Sequence, residues 1–226
     1  MQWSLYDELI KRATRNEAFV LAARQTWETL TGPVSPDHDL YHERSEAFVE
    51  WLILEYRGNH PSQEPVAETG QTAVERELGE PKESAPAPGW HELLTALRGS
   101  QRSLFRVVRL RPGGLLLDDL LRGTRFAVDE RRSLPGVAPG DLFEARLIPD
   151  PDAPYRVVLG RAVLFHPREA APVLLQQAAA LRRGSALSLS SSAATVRTFL
   201  ERLLRLRLKA LTYRHVSPAR IYSAAP

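Results

Sequence analysis

Five short runs between Ser103 and Phe165 constrain this chain more than anything else in it. They read "SLFRVVRL", "GLLLDDLL", "TRFAVDE", "DLFEARLI" and "YRVVLGRAVLF". Each is apolar or β-branched over about the length of a strand. Turn chemistry separates them: "PGG" at Pro112–Gly114, "RG" at Arg122–Gly123, "PGVAPGD" at Pro135–Asp141 and "PDPDAP" at Pro149–Pro154. This spacing predicts five strands in an antiparallel meander. A sheet of that size twists and leaves edges, so it is expected to curl into a small barrel or to pack against helices. Gly160, inside the last run, predicts a bulge or tight bend.

Helical patterns flank the strands. Leu5, Leu9, Ile10, Phe19, Val20, Ala23, Trp27 and Leu30 recur at three- and four-residue steps, which predicts one or two helices over 4–31. A second helix is expected from Ser35 as cap and Pro36 at a first helical position, with Tyr41, Phe48, Trp51, Leu52 and Leu54 as its apolar face. Proline, Glu, Ser and Gly dominate residues 58–89, with one short helix from Thr72. "WHELLTAL" at Trp90–Leu97 is helical again. Helices return over 168–182 and 193–211, on either side of the polar joint "GSALSLSSS" from Gly184. Leu203–Leu208 alternates like a strand but lacks β-branched residues, which favours helix.

The fold class is therefore α+β: a helical N-terminal part, a five-stranded antiparallel barrel-like sheet, and C-terminal helices. Four regions are expected. They are a helical region over 1–57, a Pro-rich linker over 58–89, a helix with a small β-barrel over 90–166, and C-terminal helices with a basic tail over 167–226.

Charge narrows the partners. The chain carries 30 Lys/Arg and 27 Asp/Glu, a net of +3. Residues 1–99 hold 9 and 17 of these, and residues 100–226 hold 21 and 10, giving nets of −8 and +11. The halves are expected either to attract each other or to leave the second half for an anionic partner. There is no cysteine, which excludes disulfides, thiolate metal sites and a cysteine nucleophile. No apolar run approaches the ~20 residues of a membrane span. The N-terminus has no signal-like segment, so a cytoplasmic protein is expected.

"FVEWLILEY", "GQTAVEREL", "LLTAL", "SLFRVVRL", "LDDLLRGTRFAVDER" and "GDLFEARLIP" occur in that order over about residues 43–166. As an ordered set they resemble a bacterial domain found chiefly beside the SEC-C zinc-binding motif. The resemblance implies the architecture rather than an activity. The zinc role of that motif needs cysteines and cannot apply here.

Several constellations are candidate sites. Asp129 on one strand, with Glu144 and Arg146 on the next, has the outline of a divalent-metal nuclease. Arg is a poor stand-in for the lysine of such sites, however. Alternation instead turns Phe143, Ala145 and Leu147 to the core and leaves Glu144 and Arg146 on a wet face. His38 and His42, with Glu46, would share one helix face at a spacing that can ligate zinc, but no third ligand is evident. Asp119 is expected to cap the turn through Gly123. The C-terminal helix sets Arg202, Arg205 and Lys209 opposite an apolar arc, with Arg207 intruding into that arc. The barrel adds an arginine-rich face that includes Arg106, Arg109, Arg125 and Arg146. Its aromatics sit where a core is expected, so stacking platforms for bases are few.

No phosphate loop, dinucleotide fingerprint or nucleophile elbow occurs. The function expected is non-catalytic: a module that binds another protein, an acidic one suiting its charge, through Arg106, Arg109, Arg125, Arg146, Arg202, Arg205 and Lys209. No catalytic residue, metal or cofactor is expected, and a small-molecule substrate is not favoured. Nucleic-acid binding is the alternative, and a metal-dependent hydrolase the second.

Overall fold

A computed structural model describes residues 3–58, 70–81, 86–132, 134, 136–185 and 189–223. The first helical pattern is two helices, α1 (Trp3–Ala13) and α2 (Glu17–Thr31). The chain restarts at Asn16, whose side chain accepts the Phe19 amide at 2.9 Å, satisfying one donor that the helix start leaves unpaired. Helix α3 (Tyr41–Leu54) begins later than Ser35–Pro36 would place it; those residues lie before it and no side chain caps it. Helix α4 (Ala73–Gly79) has a full capping box between Thr72 and Glu75. Helix α5 (Trp90–Arg98) leads into the sheet. Parts of the Pro-rich segment, 59–69 and 82–85, lie outside the described residues.

The strands are β1 (Gln101–Arg111), β2 (Gly114–Asp119), β3 (Arg125–Asp129), β4 (Leu142–Asp150) and β5 (Ala153–Phe165). All five expected strands are present, but they are not a simple meander. The order is β1-β2-β3-β5-β4, and β4 pairs back onto β1, so the ladder closes on itself. Most pairs are antiparallel. The exception is β3 with β5, which run parallel through Val128↔Val157 and Asp129↔Val158. A meander cannot close this way: β4 crosses to the free edge of β1, and β5 fills the gap it leaves. Closure removes edges that would otherwise offer unpaired amides.

A turn of 3₁₀ helix at Arg168–Ala170 leads to α6 (Ala171–Ser185), then α7 (Leu189–Thr212) and α8 (Pro218–Ser223). Leu203–Leu208 is helical, as its composition favours. Helix α7 starts before residue 193, so Leu189–Ser192 belong to it rather than to a joint; residues 186–188 lie outside the described set.

Four apolar clusters hold the elements together, and three of them ignore the regional boundaries drawn from composition. Phe105, Leu117, Val128, Phe143 and Leu159 fill the barrel. Leu5, Leu94 and Ile148 join α1, α5 and the outside of β4. Phe19, Trp51, Ala162 and Leu204 join α2, α3, β5 and α7. Leu104, Leu174, Leu203 and Tyr222 join β1 to the last three helices. Arg44, almost wholly buried, ties α2, α3 and α7 at one point. It donates to Thr31 Oγ1 at 2.8 Å, to the Gly32 carbonyl at 2.6 Å and to the Leu204 carbonyl at 3.4 Å. Burial lowers its pKa to about 10, against the opposing pull of Glu144 and Glu28.

Candidate partner-binding site

The seven basic residues singled out by sequence fall into three separate places. Arg106 and Arg125 lie on the outside of the barrel with Asp118 between them; the three are cross-strand neighbours on β1, β2 and β3. Each arginine reaches that carboxylate at 2.7 Å. Both bonds hold Asp118 below the usual carboxylate range, that from Arg125 most strongly. Arg109 is exposed further along β1, opposite Leu116.

Arg146 is not on that surface at all, nor on any other. The alternation of β4 is as expected: Phe143, Ala145 and Leu147 point into the barrel. Its outer side is not wet, however. Glu144 and Arg146 are buried, because α3 lies across β5 and brings Glu50 and Glu55 over them. Arg146 Nη2 donates to Glu55, Arg146 Nε stands 3.8 Å from Glu50, and Arg146 Nη1 donates to Ser100 Oγ at 3.3 Å. Arg102 Nη2 donates to Glu144 at 3.1 Å. Three carboxylates thus face two guanidiniums. The charges leave one negative unit in excess when all are ionised. Glu50 has its pKa raised by burial, with Arg146 opposing.

Glu50 also explains Gly160. The β4–β5 register shifts between Ala145 and Leu147, a bulge of the kind the glycine predicted. The Ala162 amide there donates to Glu50 at 3.1 Å. A Cβ on Gly160 would collide with the same carboxylate oxygen, so any larger residue here must displace the Glu50 side chain from its place over the bulge.

A second buried relay pins α8. Tyr222 Oη is 2.9 Å from His166 Nδ1, and His166 Nε2 is 3.4 Å from Glu144 Oε1. Hydroxyl, imidazole and carboxylate in this order resemble a nucleophile, base and orienting acid. All three side chains are sealed from solvent, and burial pushes the Tyr222 phenol up. The Tyr222–His166 hydrogen bond holds helix to barrel, while His166 Nε2 and Glu144 Oε1 face each other without a hydrogen bond.

Arg202, Arg205 and Lys209 come together in a groove of about 540 Å³. Helix α7 forms one wall, α8 and the turn before it the second, and the end of α2 closes one side. Leu206 and Ile221 form the apolar floor, flanked by Leu30 and Val216. Arg220, from α8, which the sequence placed only in a basic tail, adds a fourth cation. Tyr213 stands half exposed at the rim. Arg205 donates to the Thr29 carbonyl at the end of α2. Glu201 is the one carboxylate among the described lining residues, and its pKa is raised by burial first. The groove is thus apolar below and positive above.

The other motifs resolve simply. His38 sits in the turn before α3 and accepts the Leu40 amide at 3.1 Å, so it does not share a helix face with His42. No group of three metal-ligating side chains occurs among the described residues. Asp119 caps its turn as expected: Oδ1 accepts the Leu121 and Arg122 amides at 2.9 and 3.0 Å, and the Ser103 hydroxyl at 2.6 Å. Asp129 and Glu144 do not form a pair. Asp129 pairs with Val158, whose β4 partner Ile148 lies four residues from Glu144, which is roughly 13 Å along a strand with two strand spacings besides. Asp129 bonds Arg111 at 2.9 Å, whereas Glu144 belongs to the buried network. That separation is far too wide for a shared metal ion.

The basic tail was legible, but nothing local joined Arg220 or the end of α2 to the α7 row, since only the packing of α8 and α2 on α7 brings them to the groove. No helix among the described residues is long and apolar enough to cross a membrane. The chain matches no family model, no curated protein and no solved structure.

Proposed function

We propose that this protein is a non-catalytic, cytoplasmic interaction module that binds an acidic segment of another protein in the groove between α2, α7 and α8. One observation carries this reading: the groove gathers four cations around an apolar floor, against a single buried carboxylate. Apolar contact supplies binding free energy there, and the cations select for negative charge and steer encounter. The ordered likeness to the SEC-C-associated domain belongs to the same reading and adds no activity to it.

Nucleic-acid binding is the runner-up, favoured by the strand order. Five-stranded Greek-key barrels of the OB kind bind oligonucleotides over their second and third strands. Here the outward residues of β2 and β3 are Leu116, Asp118, Arg125, Ala127 and Asp129, with no ring for stacking. Asp118 also occupies both Arg106 and Arg125.

The test is direct binding of the full chain to a fluorescein-labelled Glu/Leu peptide and to a labelled single-stranded oligonucleotide, each titrated with salt. Peptide binding lost in Lys209→Glu supports the groove. Tighter oligonucleotide binding with a steep salt slope, unmoved by Lys209→Glu, transfers the function to the barrel face.

A further inference from the structure

The spacing of the groove's charges says what shape its occupant has, an inference that rests on the protein-binding reading above. We propose that the occupant is an amphipathic α-helix, its apolar ridge on the floor and its carboxylates flanking that ridge.

Arg202, Arg205 and Lys209 are three and four residues apart on α7. At a rise of 1.5 Å per residue those steps are about 4.5 and 6 Å, or about 10.5 Å in all. A helix lying along α7 offers side chains at the same steps from positions i, i+3 and i+7. An extended strand repeats one face only every ~6.6 Å and falls out of step over the same length. The volume agrees. About 540 Å³ cannot take a cylinder 10–12 Å wide, but it admits the few large side chains of one helical ridge. The charges also stand on two sides, with the α7 row on one wall and Arg220 on the other. That arrangement suits a narrow apolar stripe bordered by acid on both edges. Nucleic acid suits it less, because Tyr213 is the one ring among the described lining residues and the floor is aliphatic.

Glu201 sharpens the expectation. It lies in the wall among the cations and disfavours an incoming carboxylate, so Glu201→Gln is expected to tighten binding.

The experiment uses the full chain and two labelled peptides of identical Leu, Glu and Ala composition, read by fluorescence anisotropy. In one, Leu and Glu follow helical periodicity; in the other they alternate. The helical-order peptide is expected to bind and the alternating one to bind at least about tenfold more weakly. Lys209→Glu and Arg205→Glu are each expected to weaken the helical-order peptide about tenfold, and Glu201→Gln to strengthen it a few-fold. Lys209 is exposed and makes no fold-bearing contact in the core, so its variant decides the matter if Arg205→Glu fails to fold. Equal binding of both peptides overturns the helix while leaving a protein-binding groove. Binding of neither peptide, with or without capture of an oligonucleotide, overturns both.

Discussion

The outside of the barrel has two halves built from the same kinds of residue, and their fates are opposite. On β1–β2–β3, Arg106, Asp118 and Arg125 form a row in contact with water. On β1 and β4, Arg102, Glu144 and Arg146 form a comparable row, yet α3 covers it with Glu50 and Glu55. In the open row, water screens each ion pair, and removing one partner strands nothing. In the covered row, each charge has given up its hydration, and only its partners compensate. Identical alternation on the strand therefore says nothing about whether the outward charge is a surface feature or part of the core.

The largest expected effect breaks this comparison outright. Arg146→Met leaves the buried Glu50 without its guanidinium and removes one of the two beside the half-buried Glu55, and should cost about 3–5 kcal/mol in urea unfolding. If it costs no more than Arg106→Gln, cover by α3 is not what separates the two rows.

Gly160→Ala comes next, because the added Cβ meets the Glu50 carboxylate pinned by the Ala162 amide. We expect a loss of about 1–3 kcal/mol, as for an overpacked core. A neutral result in the same unfolding assay would mean that α3 can lift away from the bulge without cost.

The two rows should also titrate in opposite directions. Burial raises Glu50 above its ordinary value of 4.5. Its protonated form is favoured in the fold, so its contribution is fully present below that value and is lost as pH rises through the folded pKa. Arg125 and Arg106 lower Asp118 below its ordinary 3.8. Its contribution is present above that value and is lost as pH falls through the folded pKa. Urea midpoints measured from about pH 5 to about pH 7 should show a decline in wild type that Glu50→Gln removes. A wild-type-to-variant difference that stays constant over that range would contradict the assignment.

The smallest effect belongs to the open row. Arg106→Gln should change stability by about 0.5 kcal/mol or less, and less still at high salt.

Much of the barrel was legible locally. Turn residues bracketed all five strands, Gly160 marked the bulge, and Asp119 announced its turn. Phe143, Ala145 and Leu147 were assigned inward correctly. The order of the strands was not legible, because β4 joins β1 and β5 joins β3 through closure rather than through neighbourhood in sequence. Arg44 was missed for a related reason: its acceptors are carbonyls at the end of α2 and within α7, and no spacing along the chain reveals them. Of the seven basic residues singled out, the three on α7 share the groove because one helix's own periodicity brings them together. Arg146 was placed in water because period-two alternation distinguishes inside from outside but not bare from covered.

What the sequence determined by itself is most of the list of elements, though not α8, together with their faces and the split between an acidic first half and a basic second half. These follow from local backbone preference and from the two periodicities, each settled within a few residues. The tertiary structure decided which of the basic residues meet water, which meet the acidic half, and which line a groove. Glu50 and Glu55 reach Arg146 across more than ninety residues of chain. Asp7 and Arg161 meet at 2.6 Å across a still longer separation. Such pairings depend on which helix covers which strand. That is set by the burial of apolar faces over the whole molecule, not by the charges themselves.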